Sequence, residues 1–195
     1  MNEYPTRQIR AEFDDESITV YQAYSPQIAE PAVARGRFVS PFKIDRMTWI
    51  KPSFLWMMYR SGWATKPGQE RVLAIRLTRT GFEKALSRSS LSHFDGEVYS
   101  SHDEWLRIKA ESPVRIQWDP ERNAALEPLP WRAIQIGLGG TIVDDYVNRW
   151  TLGIDDITDR VHHLRSQPFV ASEQLPVERP YPLPPDIAQR IGASR

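Results

Sequence analysis

Residues 45–63 read DRMTWIKPSFLWMMYRSGW, three tryptophans, a tyrosine, a phenylalanine and three methionines set among Arg46, Lys51 and Arg60. So much large apolar area in so short a run has to be buried. The Lys51-Pro52 step disfavours helix at residue 51, so 47–51 is a short strand or extended segment. Ser53 is then placed to cap, and Gly62 to end, a helix over 54–61. With apolar side chains nearly all round, that helix is internal. The cations spaced through the run are either solvated at its ends or held for a ligand.

Outward toward the amino terminus, 18–24 (ITVYQAY) alternates, with Ile18, Val20, Gln22 and Tyr24 on one face and Thr19, Tyr21 and Ala23 on the other, which predicts a strand. Residues 7–10 lead into another, and 14–17 read as a turn. Ser25-Pro26 supplies an N-cap and a first-turn proline for a helix to about Arg35, stopped by Gly36. Pro31 predicts a kink or an early end there.

Outward toward the carboxyl terminus, a polar turn at 64–69 precedes an alternating strand over 71–79, and Phe82, Ala85 and Leu86 mark a small helix. Ser101 and Glu104 form a capping box for a helix carrying Trp105 and Ile108, closed by Pro113. Val114, Ile116 and Trp118 share one strand face, leaving Arg115 and Gln117 on the other; Ile134, Ile136 and Leu138 repeat the pattern with Gln135 opposite. Between them 119–130 (DPERNAALEPLP) reads as a loop. Gly139-Gly140 opens a helix striped by Ile142, Val143, Tyr146, Val147 and Trp150. Ile154, Ile157, Val161 and Leu164 continue at helical spacing after a break near Gly153. Residues 167–185 hold six of the 16 prolines and no periodic apolar pattern, predicting an extended or disordered tail, dispensable for folding.

These elements add up to an α+β chain with one domain over 1–166, in which a mixed sheet of about five strands packs against helices, and a tail over 167–195. A chain of 195 residues buries roughly 70% of the surface its unfolded form exposes, so no staple is required. Cysteine is absent, and 25 Lys plus Arg balance 25 Asp plus Glu. Disulfides and cysteine-ligated zinc are excluded, and long-range attraction to nucleic acid is not the design, although a local basic pocket stays open. No signal-type apolar segment opens the chain, and the longest apolar run, FLWMMY, falls far short of the ~20 residues a membrane helix needs. The expectation is a cytoplasmic protein with no membrane partner. His162 and His163 diverge by about 100° on a helix, and no carboxylate–histidine motif occurs, so no metal site is expected. Gly137–Gly140 fits a tight turn and no phosphate-loop pattern.

Three sets of residues carry possible chemistry. Arg46, Lys51, Arg60, Lys66 and Arg71 would line the rim of an apolar cleft, as a phosphate or nucleotide requires; the structural alternative is long side chains reaching water or pairing with Asp45, Glu70 and Glu121. In QWDPER (117–122) a strand delivers Asp119 and Glu121 to its end, where a carboxylate can act as general base or hold a ribose hydroxyl; the alternative is a turn with a surface pair. In VYQAY (20–24), Gln22 and Tyr24 stand on one strand face.

Two resemblances follow from these motifs. RMTWIKPSFLWMMYRSGW, with RQIRAEFDD and ITVYQAYS before it and GQERVLAI, VRIQWDPER and IQIGL after it, resembles the microbial domain-of-unknown-function family 4291 over roughly 7–164. Pro31 and the proline-rich tail depart from it. That resemblance implies a shared fold and assigns no catalytic residue. The order of a polar residue in an early VY strand, an aromatic segment and a late glutamate is similar to the ADP-ribosyltransferase pattern. It implies NAD as cofactor, Gln22 where that superfamily has histidine or arginine, Thr48 in the second motif, and Glu121 stabilising the oxocarbenium-like centre as nicotinamide leaves.

The expected function is therefore a nucleotide-using transferase of possible ADP-ribosyl type, acting with a small nucleotide ligand and with nucleic acid open as substrate. Gln22 and Glu121 would be catalytic, and Tyr24, Arg46, Thr48, Lys51, Lys66 and Arg71 ligand-binding, with Gln22, Arg46, Lys51 and Glu121 in one pocket. A non-catalytic module binding nucleotide, nucleic acid or protein in the same cleft is the competing expectation.

Overall fold

In the computed structural model, which describes residues 4–194, the chain enters through a two-residue strand β1 (Arg10–Ala11). The first three residues of the expected domain and the last of the expected tail lie outside the described residues. The Asp14 carboxylate then accepts from the backbone N–H groups of Glu16 and Ser17 at 2.9 and 2.7 Å, turning the chain into β2 (Ser17–Tyr24). Helix α1 (Pro26–Arg35) follows and ends on left-handed Gly36. It runs unbroken through Pro31 because Gln27, whose carbonyl loses its donor, lies exposed to water.

β3 (Thr48–Ile50) and α2 (Phe54–Ser61) form from the aromatic run as its local signals require. Ser53 Oγ accepts from Trp56 N at 3.1 Å, and Gly62 closes the helix at φ 61°. The inward face carries Phe54, Trp56, Met57 and Met58, while Tyr59 and Arg60 look outward, so the helix is one-sided, not internal all round. Next come β4 (Arg71–Thr78), α3 (Arg79–Ser87), the short β5 (Ser89–Leu91) and α4 (His102–Glu111).

β6 (Val114–Arg122) and β7 (Pro128–Leu138) make an antiparallel hairpin longer than expected. Pairing continues through most of the anticipated loop, leaving the reversal to 123–127. α5 (Thr141–Asp145) passes into a π-helical turn over Tyr146–Trp150. The chain then forms not a continuing helix but β8 (Thr151–Asp156), whose Ile154 sits opposite Ile75. Pairing on the free edge of β4 outweighs the helical spacing of the apolar residues. α6 (Thr158–Arg165) carries the rest of that pattern.

Strand pairing corrects the expectation of a single five-stranded sheet. Three strands order β2-β4-β8 and four order β3-β7-β6-β5, and a further pair joins β1 to β9 (Arg179–Pro180). Tyr21 of β2 bonds Lys51, just beyond β3, through N–H to O at 2.7 Å and O to N–H at 3.3 Å, so the two larger sheets meet there. The main core lies between them, with Val20, Ile75, Phe82, Ile116, Ile136 and Tyr146 at its centre; a second cluster gathers Tyr21, Phe54, Met58, Val161 and Leu164 around α2 and α6.

The proline-rich segment is also corrected. It holds no long element, yet β9 pairs with β1, and α7 (Pro185–Arg190) is helical. Tyr181, Ile187 and Ile191 are buried in the main core. Isolated apolar anchors suffice to dock an extended chain, and these show no periodicity for a pattern search to find. No helix among the described residues is long and apolar enough to cross a membrane.

Candidate functional site

Alternation along β3, β7 and β6 sends Ile50, Ile136 and Ile116 to the core and leaves a polar surface on the other face of the sheet. Trp49, Gly137 and Arg115 stand in one row. Gly137 leaves room there, since a Cβ would come within 2.9 Å of the Trp49 ring and the Met47 sulfur and one of them would have to shift. In the next rows come Gln135 with Gln117, then Ala133 with Asp119. The Gln135 amide donates to Asp119 Oδ2 at 2.8 Å and to Gln117 Oε1. Lys51, one position past β3, extends the Trp49 side of the same face.

Lys51 is only 5% exposed. Its ammonium is 3.3 Å from the Trp49 carbonyl and 5.3 Å from the Trp56 ring centroid, and it enters no ion pair among the described residues. Burial lowers its pKa to about 7, helped by the charge of Arg60 and opposed by Asp119. Asp119 moves the other way. Burial raises it, against the Gln135 hydrogen bond and the charges of Lys51, Arg132 and Arg122.

Around Lys51 the side chains are rich in donors and poor in acceptors. The Trp56 indole stands edge-on to Tyr59 at 6.5 Å, and the Arg122 guanidinium lies 3.6 Å over the Tyr59 ring. Trp56 Nε1 and Arg122 Nε are both buried without a hydrogen-bond partner. Buried unpaired donors are rare because each forfeits its hydration; both of these side chains adjoin Tyr59, and Trp56 lies beside a lysine that is in no ion pair among the described residues.

Glu121 lies past Asp119 on β6. Its Oε1 accepts from Ser53 Oγ and from Arg122 N, both at 2.8 Å, and burial raises its pKa. Glu178, from the docked carboxyl-terminal segment, accepts from Phe54 N at 2.6 Å at the start of α2. The residue is half-buried, and burial of the carboxyl group together with the charge of Glu121 raises its pKa strongly.

The other predicted residues separate into different places. Gln22 is buried and its amide is fully engaged: Nε2 faces Thr48 Oγ1, Tyr24 OH and the Trp49 carbonyl at 2.7, 2.9 and 3.0 Å, and Oε1 accepts from Tyr146 OH at 2.6 Å. Gln22 and Glu121 share no hydrogen-bond partner. Arg46 lines a cavity with Tyr24 and Thr48. Lys66 donates to the Tyr59 and Arg60 carbonyls at the end of α2, at 3.3 and 3.0 Å. Arg71 pairs with Asp156 at 3.0 Å and Glu30 at 3.8 Å. Of the four residues expected in one pocket, Gln22 and Lys51 share the Trp49 carbonyl as acceptor, Arg46 lines a cavity with the Gln22 partners Tyr24 and Thr48, and Glu121 has a separate set of partners, Ser53 and Arg122. No group of three or more potential metal-ligating side chains occurs among the described residues.

The sequence places Asp119 at a strand end that opens the 119–130 loop, whereas in the structure Asp119 lies within β6; it places Gln117 and Gln135 on strands without a site role. Their signal is two glutamines at polar positions of neighbouring strands. Arg122 and Tyr146 were read as a surface charge and a core residue. Glu178 carries no signal at all.

The family profile described as Domain of unknown function (DUF4291) matches residues 8–181. No curated protein matches the chain.

Proposed function

The chain belongs to the DUF4291 family, and since that description names no reaction, we propose from the site alone that the protein is a nucleotide-using transferase. The observation that carries this reading is the pair of buried donors without an acceptor, Trp56 Nε1 and Arg122 Nε, beside Lys51, a buried ammonium that has the Trp49 carbonyl as hydrogen-bond partner and is in no ion pair among the described residues. A phosphate supplies the oxygens these donors lack, and Trp49, Trp56 and Tyr59 supply aromatic surface for the rest of a nucleotide.

Lys51 sits largely neutral above pH 7 in the free protein, because burial and Arg60 disfavour its charge. An arriving phosphate restores the balance, so binding draws a proton onto the lysine. Asp119, hydrogen-bonded by Gln135 and influenced by the charge of Lys51, is the carboxylate assigned to take the proton of an acceptor hydroxyl as its oxygen bonds to the transferred group and that group's bond to the remainder of the nucleotide, the leaving group, breaks. NAD, through its pyrophosphate, is among the nucleotides that satisfy the donors. ADP-ribosyl chemistry proper would need Gln22 and Glu121 at one centre; the commitment of Gln22 to internal partners favours chemistry at Lys51 and Asp119.

Calorimetry with ATP and with NAD at pH 8, in buffers of differing ionisation enthalpy, tests this. Uptake approaching one proton per nucleotide is expected, and its loss in Lys51→Met. Asp119→Asn should leave affinity within a few-fold while abolishing turnover, since a proton acceptor acts in the transition state. Unchanged turnover in that variant would leave a binding module. Absence of binding by both nucleotides would remove the proposal.

A further inference from the structure

The hydrogen bonds around Gln22 hold one proton too many. The Gln22 amide brings two protons, and the hydroxyls of Tyr24, Thr48 and Tyr146 bring one each. Tyr146 donates to Gln22 Oε1, one amide proton goes to the Trp49 carbonyl, and the other to Thr48 or Tyr24. Tyr24 and Thr48 share a single proton between their oxygens, 2.8 Å apart. Whichever of the two donates, the proton of the other has no acceptor among the described residues. Burial raises Tyr24 to about 12, so ionisation does not remove the surplus at neutral pH.

The surplus proton stands at a cavity wall. Tyr24 and Thr48, and neither Gln22 nor Tyr146, line a cavity of about 190 Å³ with Ile28, Phe42, Arg46 and Met47. Phe42 stands edge-on to Tyr24 at 5.9 Å and stacks on Phe38 at 4.4 Å, giving a flat apolar wall. Arg46 and Lys43, both exposed, stand at the lining, and the charge of Arg46 reaches Tyr24. Lys51 does not line this cavity: Thr48 and Lys51 are an odd number of residues apart and project to opposite sides of the strand.

From this geometry we infer a second ligand site, for a planar ring that bears a carbonyl and an anionic substituent, of which an oxo-base nucleoside monophosphate is the representative. The carbonyl accepts the unclaimed hydroxyl proton, the ring lies against Phe42 and Met47, and the anion meets Arg46 and Lys43. A site built to donate a hydrogen bond discriminates against a ligand lacking the acceptor. The inference does not depend on the transferase reading: Lys51 touches this network only as a second donor to the Trp49 carbonyl, which removes no proton from the count.

The proton count makes an unusual mutational prediction. Removing either hydroxyl alone also removes its proton, and the Gln22 amide switches to the remaining one, which stays free to donate into the cavity. Tyr24→Phe and Thr48→Val should therefore each change uridine 5′-monophosphate affinity by only about threefold, whereas the double variant should lose about tenfold or more. Phenyl phosphate, with a ring and an anion but no ring acceptor, should bind wild type more weakly by a similar factor and be indifferent to the double variant. Arg46→Ala should weaken both probes alike. Should the double variant fail to fold, saturation transfer from the Met47 methyl to the uracil protons, with the preference of wild type for uridine 5′-monophosphate over phenyl phosphate, decides the matter. Additive losses in the single variants, equal binding of the two probes, or no binding of either, which leaves solvent as the hydroxyl's partner, would each overturn the assignment.

Discussion

A buried lysine with its ammonium 5.3 Å from an indole centroid and in no ion pair among the described residues destabilises the fold whenever it is charged. The sign follows from linkage. Its folded pKa, about 7, lies below the usual 10.5, so between those values the unfolded chain binds more protons than the native one, and stability rises with pH across that window. Below about 7 both states are protonated and the cost is complete. Lys51→Met, which keeps the apolar stem, should raise the melting temperature most at pH 6, and its advantage should shrink steadily toward pH 10. An advantage independent of pH would mean that the ammonium is solvated. That a residue costly to the fold stands in the most aromatic stretch of the chain is the reason to assign it work. Its identity as a candidate was legible in the sequence from its neighbours alone. The influence of Asp119 on the lysine was not, because Asp119 lies on a strand that only the β3-β7-β6 order brings near.

Elements with an unambiguous period were readable one by one. β2, β4, α2 and α4 occur close to where alternation and caps predict them. β8 was not, since Ile154, Ile157, Val161 and Leu164 keep helical spacing across what is in fact a strand, a break and a helix. β5 is three residues long, too short to show any period. The π-helical turn over Tyr146–Trp150 likewise has no sequence period of its own, yet it presents Tyr146 to Gln22 and Trp150 to α3. Gly81 of α3 makes the second of these contacts possible, since a Cβ there would overlap the Trp150 ring. Its φ is not in the left-handed region, so the constraint is space and not backbone. Gly81→Ala should therefore destabilise the protein by about 1–3 kcal/mol through overpacking, despite alanine's better helix propensity, as measured by chemical denaturation. Equal or greater stability would show that the turn gives way freely.

For the molecule as a whole, the decisive contact is the one between its two ends. β1 pairs with β9, Arg10 donates to the Glu178 carbonyl at 3.0 Å, and Tyr181 joins Arg79, at 3.1 Å, to Glu83, at 2.7 Å. Composition suggested that the chain beyond Gln167 is dispensable. Burial of Tyr181, Ile187 and Ile191, worth roughly 1.5–3 kcal/mol each before the entropy of ordering is subtracted, argues that ending the chain at residue 166 lowers the melting temperature markedly. An unchanged melting temperature would restore the reading of a free tail. Glu178 sets how that docking responds to pH. Its carboxyl pKa is raised by burial and by Glu121, so the native state holds its proton to higher pH than the unfolded chain does. The stability this gives is present below the ordinary carboxylate range and is lost as pH rises through the folded value. Glu178→Gln keeps an oxygen for Phe54 N and removes the ionisation. Its melting temperature should therefore match wild type near pH 4 and exceed it increasingly toward pH 8. A variant that is less stable at every pH would instead mean that the ionised carboxylate is favoured there by the N-terminus of α2 and the charge of Arg10.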